Sequence, residues 1–235
     1  MTADRRDFLK QLSVGGIAAV ALPSTAMAAA TAPSTPPLAE IAAMLSPADP
    51  PTFDTSWTAR LTTKHRAVFD VPEINGGSGV FRAGLWVQHY VGVLQARPAE
   101  MQPVLVIRSK AIPLVMTQEY WLRYAVADRA DVRHPMTDEK TKRNPALMTA
   151  VDDGLPPGLA TLALDEQMKR GTIVLACNMA FALCVQTIAD HDKLSPADAR
   201  KKALEMMLPG VILQPNGIFG VVLAQQHGCA FVAAA

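Results

Sequence analysis

Cysteine is scarce and charge is balanced in this chain of 235 residues. Its three cysteines, Cys177, Cys184 and Cys229, are too few for a disulfide-dense scaffold, and their odd number leaves at least one thiol unpaired within the chain. Lys and Arg number 22 against 21 Asp and Glu, a net charge of +1. That balance provides no electrostatic footprint for nucleic acid or an anionic membrane. Aromatics make up 6%, too few for a base-stacking platform, and no Lys/Arg run is interleaved with them. None of the histidines (His65, His89, His134, His191, His227) stands in an H-x-x-x-H pair and there is no C-x-x-C, so zinc spacing is absent and no metal site is expected. There is no phosphate loop, and neither Ser109 nor Ser195 lies in a G-x-S-x-G frame, so a hydrolase elbow is not supported.

What is present begins with an address. Asp4-Arg5-Arg6-Asp7-Phe8-Leu9-Lys10 puts paired arginines before the apolar stretch Leu12 to Leu22, and Ala26-Met27-Ala28 offers small residues to a signal peptidase. This is the layout of a secretory signal in its twin-arginine form, over residues 1–28. The stretch is short and carries Gly15, Gly16 and Pro23, which suits a cleaved signal better than a spanning helix of about 20 apolar residues. No second segment is long and apolar enough to span. The expected destination is the periplasm. The twin-arginine route carries folded proteins, often with a cofactor inserted, but no cofactor can be named from these residues.

Residues 29–60 read as a linker rich in Pro and Ala, followed by an α/β domain over 61–235. Short apolar runs at 65–71, 104–108, 172–176, 211–214 and 229–232 read as strands. Between them lie helical patterns at 80–94, 118–127, 159–170, 179–189, 196–208 and 218–226. Ser195-Pro196 starts one of these helices, with Ser as the cap and Pro in the first position. The polar, proline-bearing segment 128–158 reads as a surface excursion, and as the contact surface if the chain is an interaction subunit. Alternating strands and helices give a three-layer α/β sandwich with a largely parallel sheet of about five strands.

Ligands of open parallel sheets bind beyond the carboxyl ends of the strands. Three such ends stand out: Asp70-Val71-Pro72, Arg108-Ser109-Lys110 and Cys177-Asn178. Cys177 lies where a strand hands over to a helix, whose free N–H groups and partial positive charge stabilise a thiolate. Such a thiolate is suited to attack sulfane sulfur and hold it as a persulfide. The competing reading is a small buried core residue, the reading that fits Cys184 and Cys229. On one helix Cys177 and Cys184 would lie about 10 Å apart along the axis, beyond the roughly 7 Å a disulfide spans. Gly76 and Gly77, in the turn 75–79 before a helix, together with Arg108 and Lys110, are candidates for a small anion site.

These strand ends, in order and spacing, resemble the DsrE/DsrF-like sulfur-relay family. The carriers are His65-Arg66-Ala67-Val68-Phe69-Asp70-Val71-Pro72, then Pro103 to Leu114, then Gly171-Thr172-Ile173-Val174-Leu175-Ala176-Cys177-Asn178, and finally Leu208 to Val232. The resemblance implies a small α/β fold that forms homo-oligomers, trimers or hexamers. It implies that Cys177 accepts and passes sulfur as a persulfide, with Asn178 and the following backbone N–H groups steadying the thiolate. It also implies a sulfur-transfer or redox partner protein. The alternative is a non-catalytic ligand-binding or interaction subunit of an exported redox system.

Overall fold

Five short apolar runs become five strands of one sheet: β1 (His65–Val71), β2 (Met101–Ile107), β3 (Ile173–Cys177), β4 (Ile212–Gln214) and β5 (Ala230–Ala233). The structure is a computed structural model and describes residues 52–234; the signal and most of the linker lie outside the described residues. The strand order is β4-β3-β2-β1-β5 and every pairing is parallel. The expected three-layer α/β sandwich is therefore what the chain forms, with a sheet parallel throughout. β2, at the centre, is buried at all seven of its residues, which is why it reads as a continuous apolar run rather than an alternating one.

Four longer helices cover the sheet: α1 (Ser78–Leu94), α2 (Asn178–Asp192), α3 (Pro196–Glu205) and α4 (Gly217–Gln226). Alternation along the strands sorts the side chains. Ala67, Phe69, Val71, Leu105, Ile107, Val174 and Ala176 share one core with residues of α1, α2 and α3. Val68, Val104, Val106, Ile173 and Leu175 share a smaller core with Val221 and Ala224 of α4 and with Trp57. The topology explains the split. From β1 to β4 the chain steps one way across the sheet, with its crossovers on the first face. From β4 to β5 it returns the other way, and a crossover of the same hand then falls on the opposite face.

Three local features differ from the sequence reading. Ser56–Arg60, read with the linker, forms a 3-10 turn that buries Trp57 in the smaller core. The helical pattern at 118–127 breaks at Ala125, which takes a left-handed conformation between helices Gln118–Arg123 and Val126–Arg129. Val126 would face away from Tyr124 in a continuous helix, because positions two apart do not share a face; the break lets both be buried. The pattern at 159–170 divides into Pro157–Ala160 and Leu164–Lys169. Leu162, Ala163 and Leu164 are all buried, and three consecutive residues cannot lie on one helix face.

The excursion 128–158 lies on the surface but is pinned to the body. Fully buried Asn144 donates through Nδ2 to the carbonyls of Leu114 and Met116, at 3.1 and 2.9 Å, and accepts from the Ala146 N–H. Among the described residues no helix is long and apolar enough to cross a membrane.

Candidate functional site at the carboxyl edge of the sheet

Cys177 is the last residue of β3 and the cap of α2. Its Sγ accepts from the Ala180 N–H at 3.4 Å, the role a Ser or Asp oxygen takes at other helix starts. A thiolate fills that role better than a thiol, since it faces unpaired N–H groups and the positive end of the helix dipole. The residue is buried, 6% exposed, and belongs to the core on the first face of the sheet, with the Ala180 N–H as the hydrogen-bond donor to its sulfur.

Its position in the topology is more specific. Cys177 pairs in register with Gln214, the last residue of β4. After Cys177 the chain turns to α2 on the first face; after Gln214 it turns through Pro215 and Asn216 to α4 on the second. Adjacent strands whose continuations part to opposite faces open a crevice at their carboxyl ends, where ligands of such sheets bind. β3 and β4 are the pair that meets this condition. Asn216 caps α4, its Oδ1 accepting from the Phe219 N–H at 2.8 Å. Gln214 is buried; its amide donates to the carbonyls of Asp54 and Leu213, and its Oε1 has no hydrogen-bond partner among the described residues.

Arg108 joins the site from the end of β2. Its guanidinium binds both carboxylate oxygens of Asp70, at 2.6 and 2.8 Å, and donates to Ser109 Oγ at 3.2 Å. Its pKa is held up first by the hydrogen bonds to Asp70, with a smaller contribution from the negative charge of an ionised Cys177. Arg108 is thus within electrostatic reach of that sulfur. The side chain lies across the first residue of α4, where a Cβ on Gly217 would come within 2.5 Å of Arg108 Cδ. Ser109 has a φ of 52°, an uncommon conformation for a residue with a side chain.

The other candidates are placed differently. The Oδ1 of Asn178 accepts from Arg200 of α3 at 2.9 Å, and that guanidinium lies over the Phe181 ring. The N–H that reaches the sulfur is therefore a backbone group, that of Ala180, while the Asn178 side chain holds α3. Lys110 is 80% exposed and stands 3.7 Å from Glu73. Gly76 and Gly77, both at positive φ, form the turn into α1 and abut the 133–146 segment, where the Pro145 carbonyl lies 3.0 Å from the Cβ position of Gly77. Of the four anion-site candidates, Arg108 is the one with an electrostatic interaction with Cys177.

All three thiols are free. Burial pushes Cys184 up to about 12, against the opposing effect of a hydrogen bond with Tyr120. Burial also raises Cys229, with Arg66 opposing. Cys177 alone combines a helix start, a nearby guanidinium and a strand-end position. Gln214 pairs with it in register, and Asn178, next in the chain, receives Arg200. Asp70 is legible in the sequence as a strand-end residue and Asn216-Gly217 as a turn, but the strand order that brings them to the same edge of the sheet is not.

The fold and the site define an α/β protein with a thiol at the branch point of a parallel sheet. No family model matches the chain, and neither a curated protein nor a solved structure matches it.

Proposed function

We propose that this protein handles sulfane sulfur through a persulfide on Cys177. The observation that carries the reading is the placement of that sulfur: at the β3–β4 branch point, on the Ala180 N–H, within electrostatic reach of Arg108. The thiol first loses its proton to solvent. The thiolate then attacks the outer sulfur of an anionic donor such as thiosulfate. A Cys177 S–S bond forms, the donor's S–S bond breaks, and sulfite leaves with the bonding electron pair. The product is a cysteine persulfide, and charge is conserved at each step. Arg108 and the helix start stabilise negative charge on the attacking and on the transferred sulfur.

The resemblance to DsrE/DsrF-like proteins supports the same chemistry and adds a homo-oligomer and a protein partner for sulfur delivery. The twin-arginine pattern of residues 1–28 supports action in the periplasm after export.

The test is mass spectrometry of the intact chain after incubation with thiosulfate or polysulfide. Wild type is expected to gain one sulfur atom, mapped to Cys177, and Cys177→Ser is expected to gain none. An equal adduct on both proteins overturns the reading. The second reading, a subunit that binds a ligand without chemistry, is favoured by the burial of Cys177, which is 6% exposed. It predicts an anion retained equally by wild type and Cys177→Ser in native mass spectrometry, with no sulfur added to either.

A further inference from the structure

We infer that a small oxyanion binds in a cavity apart from the crevice at Cys177, between the chain that leaves β2, the 118–129 segment and α2. Neither Cys177 nor Arg108 lines this cavity. After Arg108 the chain enters the 3-10 helix Ser109–Val115, which brings Ser109 and Lys110 to its mouth. On α2, Thr187 lies three residues from Cys184 and four from Leu183, so the three share one side of the helix. Helix Gln118–Arg123 supplies Tyr120, and helix Val126–Arg129, which starts after the break at Ala125, supplies Arg129. Tyr120 and Cys184 are fully buried and form the floor, while Lys110, Arg129 and Leu183 are exposed and form the rim. The volume is about 80 Å³. On a scale where one water takes roughly 10–15 Å³, that is room for a ligand of about five heavy atoms.

The charges select an anion. Two cations, Lys110 and Arg129, line the cavity, and no carboxylate does. Lys110 has a loose partner in Glu73, at 3.7 Å, which is not part of the lining. Arg129 belongs to no ion pair among the described residues. A guanidinium without a carboxylate is open to two parallel hydrogen bonds from one oxyanion. Burial pushes the Tyr120 hydroxyl and the Cys184 thiol up, with Arg129 opposing in both. The guanidinium is thus within electrostatic reach of a floor that stays neutral. A neutral floor neither repels an anion nor competes with it for the cations.

Hydroxyl groups complete the fit. Ser109 Oγ accepts from Arg108 at 3.2 Å, which leaves its own proton to donate. The Thr187 hydroxyl donates to the Leu183 carbonyl at 2.9 Å, and the Tyr120 hydroxyl stands in hydrogen-bond reach of Thr187 and Cys184. Tyr120 can therefore turn its proton to a ligand above the floor. A cationic rim over neutral donors matches an anion whose charge is spread over several oxygens. The same lining gives a metal ion no carboxylate to bind, and the volume excludes nucleotides and sugar phosphates.

The test is isothermal titration of the full chain with sodium sulfate, at an ionic strength held constant with chloride. Sulfate fits the volume and has no sulfane sulfur to transfer, so its binding is separate from the chemistry of Cys177. Wild type is expected to bind one sulfate per chain, saturably. Arg129→Gln is expected to weaken binding about tenfold or more, and Arg129→Lys by less, because the charge stays while the fork is lost. Arg129 is exposed, so both variants are expected to keep the native circular dichroism. Tyr120→Phe is expected to weaken binding several-fold, and Cys177→Ser to bind as wild type does. The inference is overturned if sulfate shows no saturable binding above the chloride background, which would mean an adventitious ion only. It is also overturned if a natively folded Arg129→Gln binds as tightly as wild type. Binding lost in Arg108→Gln but kept in Arg129→Gln would place the anion in the crevice at Cys177 and not in this cavity.

Discussion

Arg108 grips Asp70 through two parallel hydrogen bonds, Nε to Oδ1 at 2.6 Å and Nη2 to Oδ2 at 2.8 Å, and so ties the end of β2 to the end of β1. Both side chains are largely withdrawn from solvent. Charged pairs of this forked kind are stronger than neutral hydrogen bonds. Asp70→Asn is expected to lower stability by about 1–3 kcal/mol in urea denaturation. Because the guanidinium acts electrostatically on Cys177, Arg108→Gln is expected to slow alkylation of Cys177 in the native protein several-fold at neutral pH, as read by peptide mapping. Equal rates in the two proteins would remove Arg108 from the site's chemistry.

The same arginine explains a glycine. A Cβ at Gly217 would lie 2.5 Å from Arg108 Cδ and 2.7 Å from its Cβ. Alanine in a helix ordinarily stabilises by about 0.5–1 kcal/mol over glycine. At this position the sign is expected to reverse, with Gly217→Ala costing about 1–3 kcal/mol through overpacking. Gly92 of α1 is the control: nothing lies within 4 Å of its Cβ position, so Gly92→Ala is expected to raise Tm. Two substitutions of equal sign would mean that Arg108 moves aside freely.

The site was legible where its logic is local. The run 172–176 ending in Cys177-Asn178 marks a strand passing into a helix, and the sulfur does cap that helix. Ser195 and Asn216 also cap helices, as short polar residues before a helical pattern suggest. What was not legible depends on strand order. Asp70 and Arg108 are far apart in sequence, and their pairing follows from β1 lying beside β2. The Cys177–Gln214 register follows from β3 lying beside β4. Periodicity also failed where tertiary packing overrode it, at Ala125 and at Leu162–Leu164, because it assumes that one helix face suffices to bury every apolar residue.

Alkaline pH should weaken the fold through its buried thiols. Burial raises Cys184 to about 12 and raises Cys229 as well. A thiol of the unfolded chain ionises near pH 8.5. Their contribution is therefore intact below that pH and declines as pH rises through the native values, since above it the unfolded chain releases protons that the native chain keeps. Urea midpoints are expected to fall steadily above about pH 8.5, and Cys184→Ala is expected to flatten that fall. At pH values below it Cys184 should resist alkylation in the native protein. A slope unchanged by the substitution would show that Cys184 ionises as easily folded as unfolded.

Acid should act through Asp192. Its carboxylate receives Lys202 Nζ at 2.6 Å, Arg123 Nη2 at 2.9 Å, His191 Nδ1 at 2.7 Å and the Tyr124 hydroxyl at 2.8 Å. These hydrogen bonds, that from Lys202 foremost, hold its pKa well below the usual carboxylate range. They also join the end of α2 to α3 and to the 118–124 segment. A lowered native pKa means that the contribution is fully present above the unfolded value, about 3.9, and is lost as pH falls through the native one. Asp192→Asn removes the charge at every pH. Wild type is thus expected to exceed the variant in stability at neutral pH, with the two curves converging only in strong acid. The convergence is the diagnostic part, because a loss of packing alone would lower the variant equally at all pH values. Curves that run parallel from neutral pH into acid would mean that the four donors hold the asparagine as well as they hold the carboxylate.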